Sequence, residues 1–422
     1  MKKLFFIPMI LVALAITWSC TESPRSLTDA TPESVNVSAE RLARIDNMLQ
    51  QAVDSGWIAG VTGFVARDGR IVYNKAFGFS SIESKVPMKT DDIFRIASQS
   101  KAIASTAVMM LFEEGKFLLD DPVSKYIPEF AHPVVLDQFN AKDTTYTTKP
   151  ATREITIRDL LTHTSGIDYA GIGSPNMNAI YAKAGIPVGF ESRKLLIGTE
   201  MKKLGKLPLV HNPGERWTYG LNIDVLGYLV EIWSGESFDQ YLKKHLFEPL
   251  GMNDTYFYIP GEKANRLVAV HATDQSDKLV VVKNPMTEYP LSNGTYFSGG
   301  AGLSSTTKDY AAFLQMILDK GVYDGKRILS RKTIELMLAN QIGNLSLGKD
   351  KFGLGFQITT PEGSSVSGMS EGSFSWGGYW STTYWGDPGE KLVCLLFINQ
   401  SPMNHGEVHG KFRSLIYQAL TD

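Results

Sequence analysis

Ser98 and Lys101 lie three residues apart at the start of an apolar helical pattern that runs to Gly115. A serine hydroxyl is a poor nucleophile until a neighbouring base takes its proton. An amine on the same side of a helix can take it if burial and nearby cations keep part of that amine neutral. The start of the helix adds partial positive charge and free N–H groups where an oxyanion would form. The pair therefore predicts nucleophilic chemistry at Ser98.

The Ser-x-x-Lys spacing alone is not specific, because the chain contains it three times. The other two pairs are Ser305–Lys308 and Ser346–Lys349. The first begins a Ser/Thr-rich helix and the second lies in a polar loop, so we expect both serines to be ordinary surface residues. Other stretches have to single out Ser98.

Tyr219 is the second candidate catalytic residue. It lies in the stretch 217–222, where the chain turns into an apolar helical pattern. A tyrosinate near a lysine can act as a general base. The alternative is that Tyr219 only packs, as tyrosines at the entry of amphipathic helices commonly do.

The third candidate is the segment Trp376-Gly377-Gly378-Tyr379, just before two late strands. Two successive glycines allow another backbone or a ligand to approach closely. Backbone N–H groups at such a place can form half of an oxyanion hole. The alternative is a glycine-rich bend without a catalytic role.

These sites, in this order, resemble the serine β-lactamase and penicillin-binding-protein superfamily, most closely its class C-like branch. Three further stretches are similar to segments of that family, and they extend the resemblance over about residues 40 to 420. They are Leu160-Leu161-Thr162-His163-Thr164-Ser165-Gly166-Ile167, Pro213-Gly214-Glu215-Arg216-Trp217-Thr218-Tyr219 and Ser298-Gly299-Gly300-Ala301-Gly302-Leu303-Ser304-Ser305-Thr306.

The resemblance implies a role for each candidate residue. Ser98 would be the acylated nucleophile, and Lys101 would accept its proton or support the base electrostatically. Tyr219 would be the general base that serves the leaving group and later activates water. The backbone N–H groups of Ser98 and Tyr379 would form the oxyanion hole. Which of Lys101 and Tyr219 holds the proton is a property of the pair, and it stays open here.

Two departures from the family pattern concern the substrate. The second motif is usually Tyr-x-Asn, but here the asparagine comes one place late, at Asn222, which would contact the substrate if it replaces the motif residue. The third motif usually starts with Lys or His followed by Thr or Ser, whereas this chain has Trp376-Gly377-Gly378. The missing cation and hydroxyl would grip the carboxylate of a β-lactam or of a peptide C-terminus. Trp-Gly-Gly instead resembles the esterase members often called family VIII carboxylesterases.

Three functions follow from this comparison. The first is a serine hydrolase that cleaves carboxylic esters through an acyl-enzyme. The second is a D-Ala-type peptidase or β-lactamase acting on amides, and the third is an inactive envelope-binding protein that uses the same cleft. We expect a small-molecule ester or amide as substrate and no metal or organic cofactor. The net charge of −2 gives no reason to expect a nucleic acid partner.

Other reactive residues are weaker candidates. Ser370 lies in a Gly-x-Ser-x-Gly sequence, and Asp387 and then His405 or His409 follow in α/β-hydrolase order. The elbow should lie between a buried strand and a helix, and the chain after Gly372 is too short for that fold. His405 and His409 lack the His-Glu-x-x-His order and a third ligand, so they indicate an exposed helix start. Cys394, in an apolar run, is expected to be inert packing.

The N-terminus predicts export. Two lysines precede an apolar run that ends at Ser19-Cys20, so residues 1–20 are expected to be a signal peptide. Its end is similar to a bacterial lipobox, in which Cys20 would be lipidated, and residues 21–36 would be a polar tether. The protein would then be a lipoprotein of the bacterial cell envelope. The alternative is a simple secreted protein.

The pattern of the remaining chain predicts an α+β fold in two parts. Residues 37–116 and 295–422 would form an antiparallel sheet flanked by helices, built from both chain ends, and residues 117–294 a mainly helical insertion. Ser38 is expected to cap the first helix, and Asp68-Gly69 to close a hairpin. A cleft is expected where the two parts meet.

Overall fold

The computed structural model describes residues 26–422, and the predicted signal peptide and Cys20 lie outside the described residues. The strands are β1 (Thr28–Asp29), β2 (Gly60–Arg67), β3 (Arg70–Ser81), β4 (Val86–Pro87), β5 (Phe94–Arg95), β6 (Val134–Asn140), β7 (Thr145–Pro150), β8 (His271–Thr273), β9 (Leu279–Val281), β10 (Ser304–Ser305), β11 (Val322–Tyr323), β12 (Lys326–Arg327), β13 (Lys351–Phe352), β14 (Gln357–Ile358), β15 (Phe374–Gly378), β16 (Thr382–Asp387) and β17 (Leu392–Phe397).

The α-helices alternate with these strands along the chain. They are α1 (Ala39–Asp54), α2 (Ser100–Glu113), α3 (Ile157–Leu161), α4 (Pro175–Ala184), α5 (Ile197–Leu204), α6 (Asn222–Ser234), α7 (Phe238–Leu242), α8 (Glu248–Leu250), α9 (Pro285–Glu288), α10 (Thr307–Leu318), α11 (Arg331–Leu338), α12 (Pro361–Ser367) and α13 (Glu407–Tyr417). No helix within residues 26–422 is both long and apolar enough to cross a membrane.

The central sheet is built from both ends of the chain, as predicted. Its strand order is β1-β3-β2-β17-β16-β15-β14-β13, and the N-terminal and C-terminal parts meet where β2 pairs antiparallel with β17. The pairing is antiparallel except at β1, which runs parallel to β3. The α+β expectation is therefore confirmed.

The predicted hairpin between β2 and β3 forms at Asp68-Gly69. Both residues have positive φ, 53° and 71° respectively. Two successive left-handed residues are what a two-residue hairpin turn with the right twist requires, and Asp and Gly tolerate that conformation best. Ser38 caps α1 by accepting a hydrogen bond from the Arg41 N–H at 3.2 Å, also as predicted.

Helices cover both faces of the sheet. Val65 and Cys394 pack with α1 and α13, whereas their chain neighbours Phe64 and Leu395 belong to the cluster that contains α2 and α10. Successive strand residues point to opposite faces, so each strand serves two cores. Because both faces are covered, β17 reads as a continuous apolar run.

Residues between Phe117 and Gly294 contain α3–α9, but also two hairpins that the sequence did not predict. These are β6 with β7 and β8 with β9. Near the N-terminus, residues 28–35 lie in the stretch predicted to be a polar tether, yet they contribute β1 and a short 3₁₀ helix. One hydrophobic cluster runs without a break from sheet residues such as Phe64 to insertion residues such as Ile180.

Candidate active site

Ser98 is held in a tight turn at the start of α2. It is the middle residue of a 3₁₀ helix that leads directly into the α-helix. Ala97 before it has φ of 45°, a left-handed conformation that costs energy for a residue with a Cβ. Such strain persists only where the surroundings fix the backbone, which here positions the serine.

The segment 298–305 supplies these surroundings. Strand β10 pairs with β5 just before the turn, and the Ile96 N–H donates to the Leu303 carbonyl at 3.1 Å. The Ser100 hydroxyl in turn accepts a hydrogen bond from the Leu303 N–H at 3.0 Å. The glycine-rich stretch singled out by sequence therefore braces the turn that carries Ser98.

Lys101 lies directly behind Ser98. Its side chain is buried, and its Nζ is 3.2 Å from the Ser98 Oγ. The same Nζ donates to the Gly300 carbonyl at 2.7 Å. It also lies 4.5 Å from the ring centroid of Tyr219, close enough for a cation–π contact. The structure thus brings together the three predicted catalytic residues.

Tyr169 is a neighbour that the sequence analysis missed. Its ring stacks on Tyr219 with the centroids 5.4 Å apart, and the Lys101 Nζ lies 5.2 Å from its centroid. Burial, followed by the proximity of Tyr219 and Asp224, raises the pKa of Tyr169 well above its usual value. Tyr169 is therefore a neutral hydroxyl in the cavity wall, two residues beyond the Leu160–Ile167 stretch.

Asp224 is the second residue that the sequence analysis missed. This carboxylate on α6 is fully buried, and its Oδ1 accepts a hydrogen bond from the Tyr296 hydroxyl at 3.3 Å. A Cβ built on Gly300 would lie 2.6 Å from its Oδ2 and 3.6 Å from the Lys101 Nζ, so the two side chains lie beside the same face of that glycine. Burial raises the pKa of Asp224, against lowering contributions from the Ser298 hydroxyl and the Lys101 ammonium.

Strand β15 approaches the nucleophile turn through Gly378. A Cβ at this position would lie 2.4 Å from the Ile96 carbonyl oxygen and 2.2 Å from the Thr382 hydroxyl, so only glycine fits. Gly377 differs, because its Cβ would contact only the Thr382 carbonyl at 3.3 Å. In the part of the chain that the structure describes, the N–H groups of Ser98 and Tyr379 donate to no turn, loop or cap carbonyl.

A cavity of about 640 Å³ opens in front of Ser98. Tyr219, Trp376 and Tyr379 contribute to its wall, and its lining is predominantly apolar and aromatic. The Trp376 ring lies 5.6 Å from that of Tyr219 and 5.5 Å from that of Phe352, measured between centroids. The indole therefore forms an aromatic wall next to the reacting groups.

Asn222 does not reach this cavity. It is fully buried at the start of α6, where its amide nitrogen is 2.9 Å from the His163 Nδ1 and its Oδ1 accepts from the Ser165 hydroxyl. Its position therefore does not fit the predicted contact with substrate. It ties α6 to the stretch that carries His163, whose pKa is lowered well below its usual value by burial and then by Lys101.

The rival serines are placed elsewhere. Ser370 follows α12 and precedes β15, so it does not sit between a strand and a helix as a nucleophile elbow must. Its N–H donates to Asp387 at 2.9 Å. Ser305, expected at the surface, is buried, and its hydroxyl lies 2.7 Å from that of Thr255. Ser346 lies in a loop outside the cavity.

The remaining candidate side chains, two histidines and a cysteine, pack against other residues or are buried. His405 stacks on Trp57 with ring centroids 4.5 Å apart, whereas His409 faces the protein interior. Across residues 26–422, no group of three or more His, Cys, Asp or Glu side chains is arranged to hold a metal ion. Cys394 is fully buried, and burial raises the pKa of its thiol well above the usual value.

Comparison with known proteins agrees with this geometry. Residues 45–417 match the family described as Beta-lactamase. The chain is 29% identical to Esterase EstB of Burkholderia gladioli, over 87% of this chain and 93% of the relative. It is 27% identical to a putative D-alanyl-D-alanine carboxypeptidase of Escherichia coli, over 92% of this chain and 89% of the relative. The solved structure of EstCE1, a hydrolase with promiscuous acyltransferase activity, superposes with a TM-score of 0.75 at 27% identity, covering 89% and 98% of the two chains.

Proposed function

The chain belongs to the beta-lactamase family, and from that premise we propose that it hydrolyses carboxylic esters through an acyl-enzyme on Ser98. The observation that carries the proposal is the Ser98–Lys101 pair, 3.2 Å apart, facing an apolar cavity with Trp376 in its wall. Esterases are among the relatives of the chain, which supports the ester class.

In the first half of the reaction, the Ser98 Oγ attacks the ester carbonyl while its proton passes to the Lys101–Tyr219 pair. The carbonyl π electrons move to oxygen and form a tetrahedral oxyanion. This oxyanion accepts hydrogen bonds from the N–H groups of Ser98 and Tyr379. The intermediate collapses, the bond to the alcohol oxygen breaks, and the pair returns the proton to the leaving alcohol.

In the second half, a water molecule takes the place of the alcohol. The Lys101–Tyr219 pair removes one proton from it as its oxygen attacks the acyl carbon. A second tetrahedral oxyanion forms on the same two N–H groups, and its collapse breaks the bond to the Ser98 Oγ. The proton returns to Ser98, and a carboxylic acid leaves.

Trp376 favours esters with apolar or ring-bearing groups over peptides and β-lactams. A cation at its position would pair with the carboxylate of a β-lactam or of a peptide C-terminus. An indole removes that charge-assisted bond and offers a large apolar face instead. Substrates that depend on a carboxylate next to the scissile bond should therefore bind weakly.

The proposal is tested with p-nitrophenyl butyrate and a chromogenic cephalosporin, on soluble protein that starts near Thr21. We expect turnover of the ester, little turnover of the cephalosporin and loss of both in Ser98→Ala, with Ser370→Ala as a matched control that keeps activity. Fast cephalosporin cleavage would support a D-Ala-type peptidase or β-lactamase instead. Absence of turnover of both substrates would support an inactive envelope-binding protein.

We also propose that the protein is a lipoprotein of the bacterial envelope, anchored through Cys20. Support comes from the apolar run that ends in Ser19-Cys20 behind two lysines. The test is the mass of the mature N-terminus after expression in a bacterial host. A diacylated or triacylated cysteine that is absent in Cys20→Ser supports the anchor, and cleavage at another residue contradicts it.

A further inference from the structure

The cavity in front of Ser98 continues around the open edge of the sheet. Strand β14 pairs with β15 only at Phe374 and Ser375, so on that side β15 has no paired strand from Trp376 onward, although β16 pairs with it on the other side. The residues that line the cavity come from both faces of β15 at this edge: Trp376 on the face toward Ser98, and Ser375 and Gly377 on the opposite face. Gly377 has no side chain to close the passage.

The far end of the cavity is lined by a positively charged side chain. Arg413 on α13 is the one charged residue among the described residues that line the cavity. It lies on the face of the sheet that carries Thr383 and Trp385, which pair with Gly377 and Ser375 across the β15–β16 ladder. Nothing in the Ser98 chemistry requires a positive charge at that place.

Arg413 has no anionic partner within residues 26–422. The structure shows neither an ion pair nor a side-chain hydrogen bond for it there, and its Nε is buried without an acceptor. Guanidinium groups bind carboxylates through two parallel N–H bonds, and a buried donor without an acceptor is costly. His409, one helical turn earlier, adds no charge near neutral pH, because burial lowers its pKa to about 4.

We propose that Arg413 is a specificity-determining residue that binds a carboxylate at the far end of the substrate, so that the enzyme prefers esters whose acyl chain ends in an anionic group. This inference rests on the ester-hydrolase function proposed above. The site is separate from the position of Trp376, because it is reached from Ser98 past Gly377 and comes from the last helix. The length of the acyl chain between the ester and the carboxylate then determines which substrates bind well.

The test compares mono-p-nitrophenyl esters of adipic, suberic and sebacic acid with their methyl-capped counterparts, which have the same length without the charge. We expect the wild type to have the higher kcat/KM for one of the anionic esters. In Arg413→Met, the ratio of kcat/KM for the anionic ester to that for the neutral ester should fall about 10- to 100-fold, mainly through KM, since a hydrogen bond to a charged group is lost. Arg413→Lys should keep part of the ratio.

Lys411→Met is the matched control, because Lys411 is an exposed cation on the same helix, 5.3 Å from the Trp57 ring centroid. It removes the same charge from the protein and should leave the ratio within about twofold of wild type, as expected for an exposed charge. An equal ratio in wild type and Arg413→Met, or an equal fall in Lys411→Met, overturns the inference while the ester-hydrolase function stands. Hydrolysis of neither ester series by the wild type overturns both.

Discussion

The Lys101 Nζ and the Ser98 Oγ lie 3.2 Å apart, with the lysine side chain almost completely removed from solvent. The amine is held from the other side by the Gly300 carbonyl at 2.7 Å. It is therefore fixed within proton-transfer reach of the hydroxyl before any substrate binds. Catalytic groups positioned in advance lose little entropy when the reaction starts.

Lys101→Met should lower kcat/KM for p-nitrophenyl butyrate by about 10²- to 10⁴-fold, the range for loss of a positioned general base. Methionine fills a similar volume, so the fold should persist, which the thermal unfolding midpoint will check. Lys308→Met is the control, because Lys308 has the same spacing from Ser305 but is exposed. An equal loss of activity in both variants would contradict the role of Lys101.

Asp224→Asn should lower kcat/KM more at high pH than at low pH, because burial raises the pKa of the Asp224 carboxyl, and at low pH the protonated carboxyl is as neutral as asparagine. The asparagine keeps the acceptor for Tyr296 but cannot carry a negative charge beside Gly300 and the Lys101 Nζ. A purely structural role of Asp224 would lower activity at every pH and leave the shape of the profile unchanged.

Gly378→Ala should reduce kcat/KM by about 10²-fold or more, the range for loss of an oxyanion-hole donor. The added Cβ would meet the Ile96 carbonyl at 2.4 Å and push β15 away from the Ser98 turn. Gly377→Ala is the matched substitution, with a single contact at 3.3 Å, and should cause a clearly smaller loss. Equal losses, measured as initial rates on p-nitrophenyl butyrate, would show that the close approach at Gly378 does not matter.

The raised pKa of Asp309 predicts that the stability of the protein depends on pH. It is buried at the start of α10, and burial raises its pKa to about 6 from the usual 3.8. Below about pH 4 the carboxyl is protonated in both folded and unfolded chains. Between about pH 4 and 6 the unfolded chain ionises while the folded protein keeps the proton. The free energy of unfolding should therefore fall as pH rises through that window and stay lower above it.

The size of this effect follows from the pKa difference and is roughly 3 kcal/mol. Urea unfolding at about pH 4 and about pH 7 measures it. Asp309→Asn should remove this contribution, and Asp68→Asn, at an exposed hairpin position, should not. If the free energy of unfolding of Asp309→Asn falls between the two pH values as much as that of the wild type, the prediction is contradicted.

The sheet and its helices could be predicted from sequence because their patterns are local. The strands of the β2–β3 hairpin follow from apolar runs on either side of Asp68-Gly69, and the first helix follows from its Ser38 cap. The hairpin of β6 and β7 was missed because β7 is exposed along its whole length and shows no alternation of apolar and polar residues.

The catalytic candidates were found because they lie in recognisable motifs, whereas their supporting residues depend on long-range packing. Asp224 lies between Ile223 and Val225 and reads as one polar residue in an apolar helix. Only the folded chain places Gly300 and Lys101 beside it. Arg413 was missed for the same reason, because it lines a cavity that forms only when the chain has folded around the edge of β15.

Covalent labelling is the most direct test of whether Ser98 is the nucleophile. Soluble protein starting near Thr21 is treated with a fluorophosphonate, its intact mass is measured and the labelled peptide is mapped. We predict a single adduct on Ser98 that accompanies loss of ester turnover and is absent in Ser98→Ala. A label on Ser370, or no label together with no turnover, would contradict it.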